Sequence, residues 1–401
     1  MGRTNQMRFM KQEGLFLKIF SGSFLVAGTA IGAGMLALPL ATAQAGFLPA
    51  TLVYFFCWLF SIATGFLMLE VTLGMPEHSN LISMARTYLG KWGKYLAWGL
   101  YLFLFYCLTI AYVSGGSSMI NGILFHGDSY AASMLAFTTI FGSCVFFGTK
   151  IVDKMNLLLM VGLIVSYFGF VAFGFKHLNI SQLAVVDFPQ AVTALPVIFT
   201  SFSYQGILPT LTDYLKRDRK AIRLSILLGA SIPFFAYIVW DFLIKGIVPL
   251  PDLLLAKQQG LSAVQPLKKI LGSSAIAILG QGFAFFALTT SFLGVTIGLL
   301  DFLADGLKVS KIGLSRFNLC LAIYVPSVVI ALTNPNIFFK ALEFAGGIGC
   351  VLLLGLIPVL MVFVKRYVKK EHASQKELFG GKMLLLILLI FILFELGVTL
   401  S

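Results

Sequence analysis

The chain has 401 residues, of which 59% are hydrophobic and only 11% charged, with a mean hydropathy of +0.94. So apolar a chain cannot hide its hydrophobic surface in a soluble core behind a charged exterior. The formal charge of +13 does not call for a nucleic-acid partner, because the basic residues cluster in short stretches between apolar runs, as membrane orientation requires. The composition therefore predicts an all-α membrane protein whose main surroundings are the lipid bilayer.

Cutting the chain where charges, prolines and glycines interrupt apolar runs predicts a basic tail over residues 1–16, then eleven spans: 17–41, 48–71, 95–119, 130–148, 155–175, 191–214, 222–248, 275–300, 317–332, 337–364 and 383–400. A span needs about 20 apolar residues. With the N-terminus inside, 23 of the 29 Lys and Arg residues fall on the inner side. Only Lys176, Lys257, Lys268 and Lys269 fall outside, while Lys245 and Lys340 lie near the outer ends of spans and can snorkel. This asymmetry predicts a cytoplasmic N-terminus and a C-terminus on the opposite side. The small residues at Ala41-Thr42-Ala43 and Ala43-Gln44-Ala45 imitate a signal-peptide cleavage site, but a signal peptide's apolar region is only about 7–15 residues. Gly2 is no myristoylation signal, since position 6 is Gln6.

The first span is interrupted at its own middle by Gly28-Thr29-Ala30-Ile31-Gly32-Ala33-Gly34, although glycine is among the worst helix formers. Gly28 and Gly32 alone would read as a GxxxG packing face. The resemblance of residues 32–37 to a dinucleotide fingerprint fails for want of a preceding strand. In the third span, Ser114-Gly115-Gly116-Ser117-Ser118 offers hydroxyls without an activating base, so helix packing is the better reading. The sixth span repeats the interruption in Thr200-Ser201-Phe202-Ser203-Tyr204-Gln205-Gly206. Spans one to five (17–175) and six to ten (191–364) then read as two five-helix repeats, inverted because the repeat is odd, with residues 383–400 as one extra helix. Tyr112 in span three and Ser291 in span eight support the match, lying 81 and 87 residues after Ile31 and Tyr204.

A helix broken in lipid frees backbone groups that cost several kcal/mol each when unsatisfied, so it is tolerated only where protein, water or ligand supplies partners. N–H groups at Gly32, Ala33 and Gly34 would receive a carboxylate. Carbonyls near Ala27 and Thr200 would face an ammonium or a cation, and Phe202 and Tyr204 would close over an apolar or aromatic side chain. The candidate binding set is Ala27, Gly28, Ile31, Gly32, Ala33, Gly34, Tyr112, Thr200, Ser201, Phe202, Ser203, Tyr204 and Gln205. Together these suit a zwitterionic amino acid.

Cys57, Cys107, Cys144, Cys320 and Cys350 fall inside spans without paired spacing and read as packing residues. His78, His126, His177 and His372 fall in loops or at span ends, which leaves no imidazole for a metal, a proton relay or an enzyme's base in the membrane centre. No cofactor is called for. Among the intramembrane charges, Asp241 and Lys245 are spaced to pair on one helix face. Glu70, Asp301 and Glu395 are expected near span ends. Glu343, beside Gly346-Gly347, is the carboxylate best placed for a proton path.

The segments GTAIGAGMLALPLA (28–41), LTIAYVSG (108–115), LPVIFTSFSYQGILP (195–209) and TSFLGVTIGLLDFLAD (290–305) resemble those of bacterial aromatic amino acid permeases specific for tyrosine or tryptophan, within the amino acid, polyamine and organocation superfamily. The resemblance covers nearly the whole chain. It implies a leucine-transporter-like inverted-repeat fold and uptake of an aromatic amino acid across the bacterial inner membrane, driven by a cation gradient, usually of protons. One departure stands in span six, where such permeases commonly carry Ser-Phe-Gly-(Phe or Tyr)-His-Gly and this chain carries Ser203 and Gln205 in place of the glycine and histidine. Gln205 hydrogen-bonds but does not titrate near neutral pH.

On the driving ion, the residues and the resemblance pull apart. In the leucine-transporter-like fold a Thr-Ser pair in span eight is similar to a known sodium site, and Thr290 and Ser291 with the carbonyls of Ala27 and Ala30 would supply the oxygens a hard cation prefers. Against this, permeases of the aromatic type are taken to be proton-driven, with Glu343 or a backbone-bound hydronium as carrier here. Proton coupling is preferred and sodium kept as the alternative. A channel or receptor would share the spans but would need no paired broken helices.

Overall fold

In a computed structural model the chain is described over residues 2–124, 129–272, 274–334, 336–371, 377–378 and 380–401, with side chains omitted for residues 2–15 and for 123 and 124. His126 and His372 lie outside the described residues. The described residues form helices: α1 (Gly2–Ala30), α2 (Ala33–Ala41), α3 (Phe47–Leu73), α4 (Leu81–Leu124), α5 (Tyr130–Phe147), α6 (Thr149–Gly174), α7 (Phe188–Val192), α8 (Leu195–Ser201), α9 (Leu208–Tyr214), α10 (Arg219–Ile247), α11 (Leu250–Gln258), α12 (Val264–Leu271), α13 (Ala275–Leu307), α14 (Gly313–Thr333), α15 (Ile337–Phe344), α16 (Ile357–Phe363) and α17 (Gly381–Leu400). A π-helical stretch, Ala345–Leu356, joins α15 to α16.

Nine of these helical runs are long and apolar enough to cross a membrane, and the bent pair of α1 and α2 makes ten. The expected sixth span, residues 191–214, is broken into α8, a short 3₁₀ turn at Gln205–Ile207 and α9, so no single helix there meets the length of a span. The helix expected from residue 95 begins earlier, at Leu81, and turns a corner at Gly90, whose φ of +75° is one that glycine alone adopts freely.

Small residues set the closest contacts. Gly22 lies under Ser225, and Gly229 lies under Val26 and the Ser23 carbonyl, so α1 and α10 approach without side chains between them. Ser225 adds a hydrogen bond to the Ile19 carbonyl at 3.1 Å. Gly162 and Gly169 make room for Phe286 and Leu279, which seats α6 on α13. Asp218 caps α10 by accepting from the N–H groups of Lys220 and Ala221 at 3.0 and 3.1 Å, meeting two of the four donors a helix start leaves free. All five cysteines are buried and free, as expected of packing residues.

The charged residues sort differently from expectation. Asp241 and Lys245 do pair, Oδ2 to Nζ at 2.9 Å, but both are buried, and Lys245 also donates to Thr42 Oγ1 at 2.7 Å and the Gly46 carbonyl at 3.0 Å. Glu70, expected at a span end, is buried and held by Arg366 and the Glu377 N–H. Glu377 in turn meets Arg219 and Arg223 at 3.3 and 3.8 Å. Burial pushes the Glu377 carboxyl above the usual carboxylate range, and the two guanidinium groups oppose that shift. Asp301 is half exposed and paired with Lys311. Glu395, also expected where charge costs little, is fully buried.

Candidate functional site

The first break falls at Ile31 and Gly32, between α1 and α2, with a bend of 55°. Helical bonding ends with the Ile31 N–H on the Ala27 carbonyl at 3.0 Å and resumes with the Met35 N–H on the Gly32 carbonyl at 3.2 Å. The Gly32 backbone is extended, φ −163° and ψ −147°, and leads into the first turn of α2, whose N–H groups have no partner in their own helix. A Cβ on Gly32 would lie 2.7 Å from Ser291 Oγ and 3.3 Å from Tyr112 Oη. The break, α4 and α13 thus meet at one point, where the Ser291 and Tyr112 hydroxyls both approach Gly32.

The second break covers Phe202, Ser203 and Tyr204, between α8 and the 3₁₀ turn at Gln205. A Cβ on Gly34 would collide with the Ser201 hydroxyl and lie 2.9 Å from Ser201 Cα, so the glycine lets α2 lie directly on the end of α8. Across this contact stands Tyr237 of α10, wholly buried. Its hydroxyl lies 2.8 Å from the Ala30 carbonyl and 2.8 Å from the Ser201 carbonyl. One side chain therefore ties the two breaks together, at the carbonyls that helix interruption frees.

The sequence expected those free carbonyls at Ala27 and Thr200. In the structure Ala27 still accepts its helical bond, and the Thr200 carbonyl accepts from Ser203, through N–H at 3.3 Å and Oγ at 2.7 Å. Thr200 Oγ1 donates to the Leu342 carbonyl at 2.8 Å, anchoring α8 on α15. Phe202 and Tyr204 are bedded in the bundle: Phe202 packs edge-on to Tyr237 at 5.2 Å, and the Tyr204 hydroxyl donates to the Ser61 carbonyl of α3 at 3.0 Å. Gln205 donates to Thr64 Oγ1 at 2.8 Å and accepts from the Tyr204 N–H at 2.9 Å, so its amide closes the frayed turn against α3.

Of the cation ligands expected, Ala30 carries the Tyr237 hydroxyl, and Thr290 donates to the Ala287 carbonyl of its own helix at 3.1 Å. Only Ser291 faces the first break. Glu343 is half-buried in the last turn of α15, with Lys257 and Lys340 as its charged neighbours, next to Leu342, whose carbonyl takes the Thr200 hydroxyl beside the second break.

Exposure around the breaks is one-sided. Every residue of α2 and α8 is buried. Toward the side of the membrane where the chain begins, Gly28 and Thr29 of α1, Gly206 after the second break and Gly294 of α13 are exposed. Gly206 and Gly294 have no neighbour within 4 Å of a Cβ position, and Gly28 only the Met160 methyl at 3.9 Å. Gly28 and Ala33 thus lie on the two sides of the first break, exposed and buried, Gly28 on the face of α1 that Phe20, Phe24 and Leu25 also leave exposed. Ile31, Ser203 and Ser291, at the boundary, are half-buried.

Sequence reading missed Tyr237, Ser61 and Thr64. None lies in an interrupted segment, and each acts only through a helix remote in sequence.

The chain matches the tryptophan/tyrosine permease family over residues 17–399. It is 33% identical over 380 residues to a chain of Haemophilus influenzae named tyrosine-specific transport system 1, covering 93% of this chain and 94% of that one. It is 29% identical over 392 residues to a tryptophan-specific transport protein of the same organism, covering 93% of each. Among solved structures it superimposes on MhsT in complex with L-phenylalanine with a TM-score of 0.61 at 17% identity, covering 94% of this chain and 97% of that chain. That likeness shows the fold, the leucine-transporter-like arrangement with its paired broken helices. The matched family, the transport proteins among its relatives and the apolar helices together make this chain a member of the tryptophan/tyrosine permease family, a multi-pass membrane transport protein and not an enzyme.

Proposed function

We propose that the protein imports an aromatic amino acid, tyrosine or tryptophan, across the bacterial inner membrane by symport with a cation, the proton in preference to sodium. The N-terminus is then cytoplasmic and the C-terminus periplasmic. The observation that carries the reading is the meeting of Gly32, Tyr112 and Ser291 beside two broken helices that Tyr237 ties together. The substrate carboxylate takes the free N–H groups at the start of α2, where the helix dipole favours an anion. Ser291 and Tyr112 supply hydroxyls at the same point. The aromatic substrate follows from the relatives named for tyrosine and tryptophan and from the phenylalanine held by MhsT.

The fully buried α2 and α8 support a conformation closed on the outer side of the breaks. The Ala27 and Ala30 carbonyls and the Thr290 hydroxyl are engaged within the protein and each keep a lone pair, so the preference for the proton rests on the resemblance to proton-driven aromatic permeases. The sodium reading keeps Ser291 and the family-like Thr-Ser pair in its favour.

Uptake of labelled tyrosine into proteoliposomes, with each gradient imposed separately and all twenty amino acids as competitors, tests the reading. Saturable uptake under a pH gradient in sodium-free buffer, competed best by aromatic amino acids, is expected. Uptake that needs a sodium gradient at fixed pH and is lost in Thr290→Ala and Ser291→Ala would replace the proton with sodium. Flux that does not saturate and is not competed would make the protein a channel.

A further inference from the structure

The buried face of α17 consists of Leu385, Leu388, Ile392 and Glu395, a helical stripe in which three positions are aliphatic and the fourth a carboxylic acid. Glu395 is 0% exposed. Its Oε1 accepts from Thr399 Oγ1 of the next turn at 3.2 Å, and its Oε2 has no hydrogen-bond partner. Thr399 of α17 is its hydrogen-bond partner, and the titratable groups within reach of its charge are the thiols of Cys57 from α3 and Cys350 from the π-helical stretch. Among the described residues no Lys, Arg or His pairs with it, whereas the other buried acids, Glu70, Asp241 and Glu377, each have a cation. An ionised carboxylate in an apolar interior without a counter-charge is among the most costly groups a membrane protein can hold, and binding a proton removes that cost.

Its neighbours lead to the substrate site. Cys57 and Cys350 also line a cavity of about 10 Å³ together with Ser61, Phe202, Ser203 and Gln205, large enough for about one water molecule. Ser203 and Gln205 belong to the second break. The same π-helical stretch presses on α8 at Gly346, where a Cβ would collide with the Pro196 carbonyl and the Thr200 hydroxyl, and on α17 at Gly347, against Thr399. π-Helical hydrogen bonding is rare, and π-bulges within α-helices are frequent at functional sites.

We propose that Glu395 is a proton-binding site of this transporter, taking up one proton as a neutral carboxylic acid on the eleventh helix and releasing it in step with rearrangement at the second break. The coupling rests on the transport reading above, whereas the site rests on the geometry alone. The step is balanced: one proton enters from one side of the membrane and leaves to the other, and the carboxyl returns to its starting state. Glu343, whose charged neighbours are Lys257 and Lys340, is then not the proton carrier of the cycle.

The test compares wild-type protein, Glu395→Gln and Glu395→Asp in proteoliposomes. Infrared spectroscopy at neutral pH is expected to show a deuterium-sensitive carbonyl band of a neutral carboxylic acid in wild type, missing in Glu395→Gln and displaced in Glu395→Asp. Glu395→Gln is expected to keep exchange of internal for external labelled tyrosine yet lose its accumulation under a pH gradient. Accumulation by Glu395→Gln equal to wild type, or an infrared spectrum unchanged by either substitution, overturns the proposal. Should wild type itself accumulate no tyrosine under any gradient, the transport reading and the coupling fall together. The infrared difference then decides the proton site alone, and Glu395→Asp decides it should Glu395→Gln fail to fold.

Discussion

Removing the Tyr237 hydroxyl while keeping its ring isolates the link between the two broken helices. Tyr237→Phe preserves the edge-on contact with Phe202 and leaves the carbonyls of Ala30 and Ser201, both 2.8 Å from the lost oxygen, in a site that is 0% exposed. A single hydroxyl has one proton, so one full hydrogen bond is lost and a second acceptor loses a shared one. Leaving buried acceptors unsatisfied costs about 1–3 kcal/mol. If that cost falls on the conformation in which the breaks are apposed, transport changes by about 5–150-fold. Tyr167→Phe is the control, acting on the same turn of α10, since its hydroxyl meets the Ala236 carbonyl there, at 3.1 Å, and neither break. Thermal melting in detergent and initial rates of uptake across substrate concentrations measure both effects. Tyr237→Phe is expected to lower the melting temperature and alter transport, and Tyr167→Phe to lower the melting temperature alone. Wild-type transport in Tyr237→Phe would refute the bridge as part of the working site.

Gly34→Ala is expected to abolish uptake while the protein still inserts, because the new methyl meets the Ser201 backbone at 2.9 Å and backbone cannot swing aside. Gly99→Ala, with nothing within 4 Å, is expected to transport as wild type, and equal behaviour of the two on uptake and membrane-fraction blots would dismiss the close packing of α2 on α8. Lys245→Met strands the buried Asp241 carboxylate and is expected to destabilise by about 3–5 kcal/mol. Adding Asp241→Leu should recover much of that loss, which a melting series of the two single variants and the double variant measures.

The membrane class, most of the spans and the two interruptions were legible in the sequence because each is local: apolar length, basic loops, and glycine or polar residues where an unbroken helix would exclude them. Which groups meet at the interruptions was decided only by packing. Tyr237 lies in an uninterrupted apolar run and Thr64 in another, and nothing in either stretch marks them. They act because α10 and α3 are laid against the breaks. The freed carbonyls shifted from Ala27 and Thr200 to Ala30 and Ser201 because helical bonding persists to the last residue that geometry allows, which a pattern fixes only to within a turn. Phe202 and Tyr204 turned into the bundle because Gly65 and Ser61 of α3 leave room for a ring and offer a carbonyl to its hydroxyl. Glu395 reads as a charge near the chain's end and becomes a buried acid only when α17 docks on the π-helical stretch. The sequence by itself determined that the chain lies in a bilayer and where its helices must break, since those follow from the solvation of each segment. Tertiary structure decided which side chains satisfy the broken backbone and which charge stays unpaired, since both depend on contacts between segments far apart in the chain.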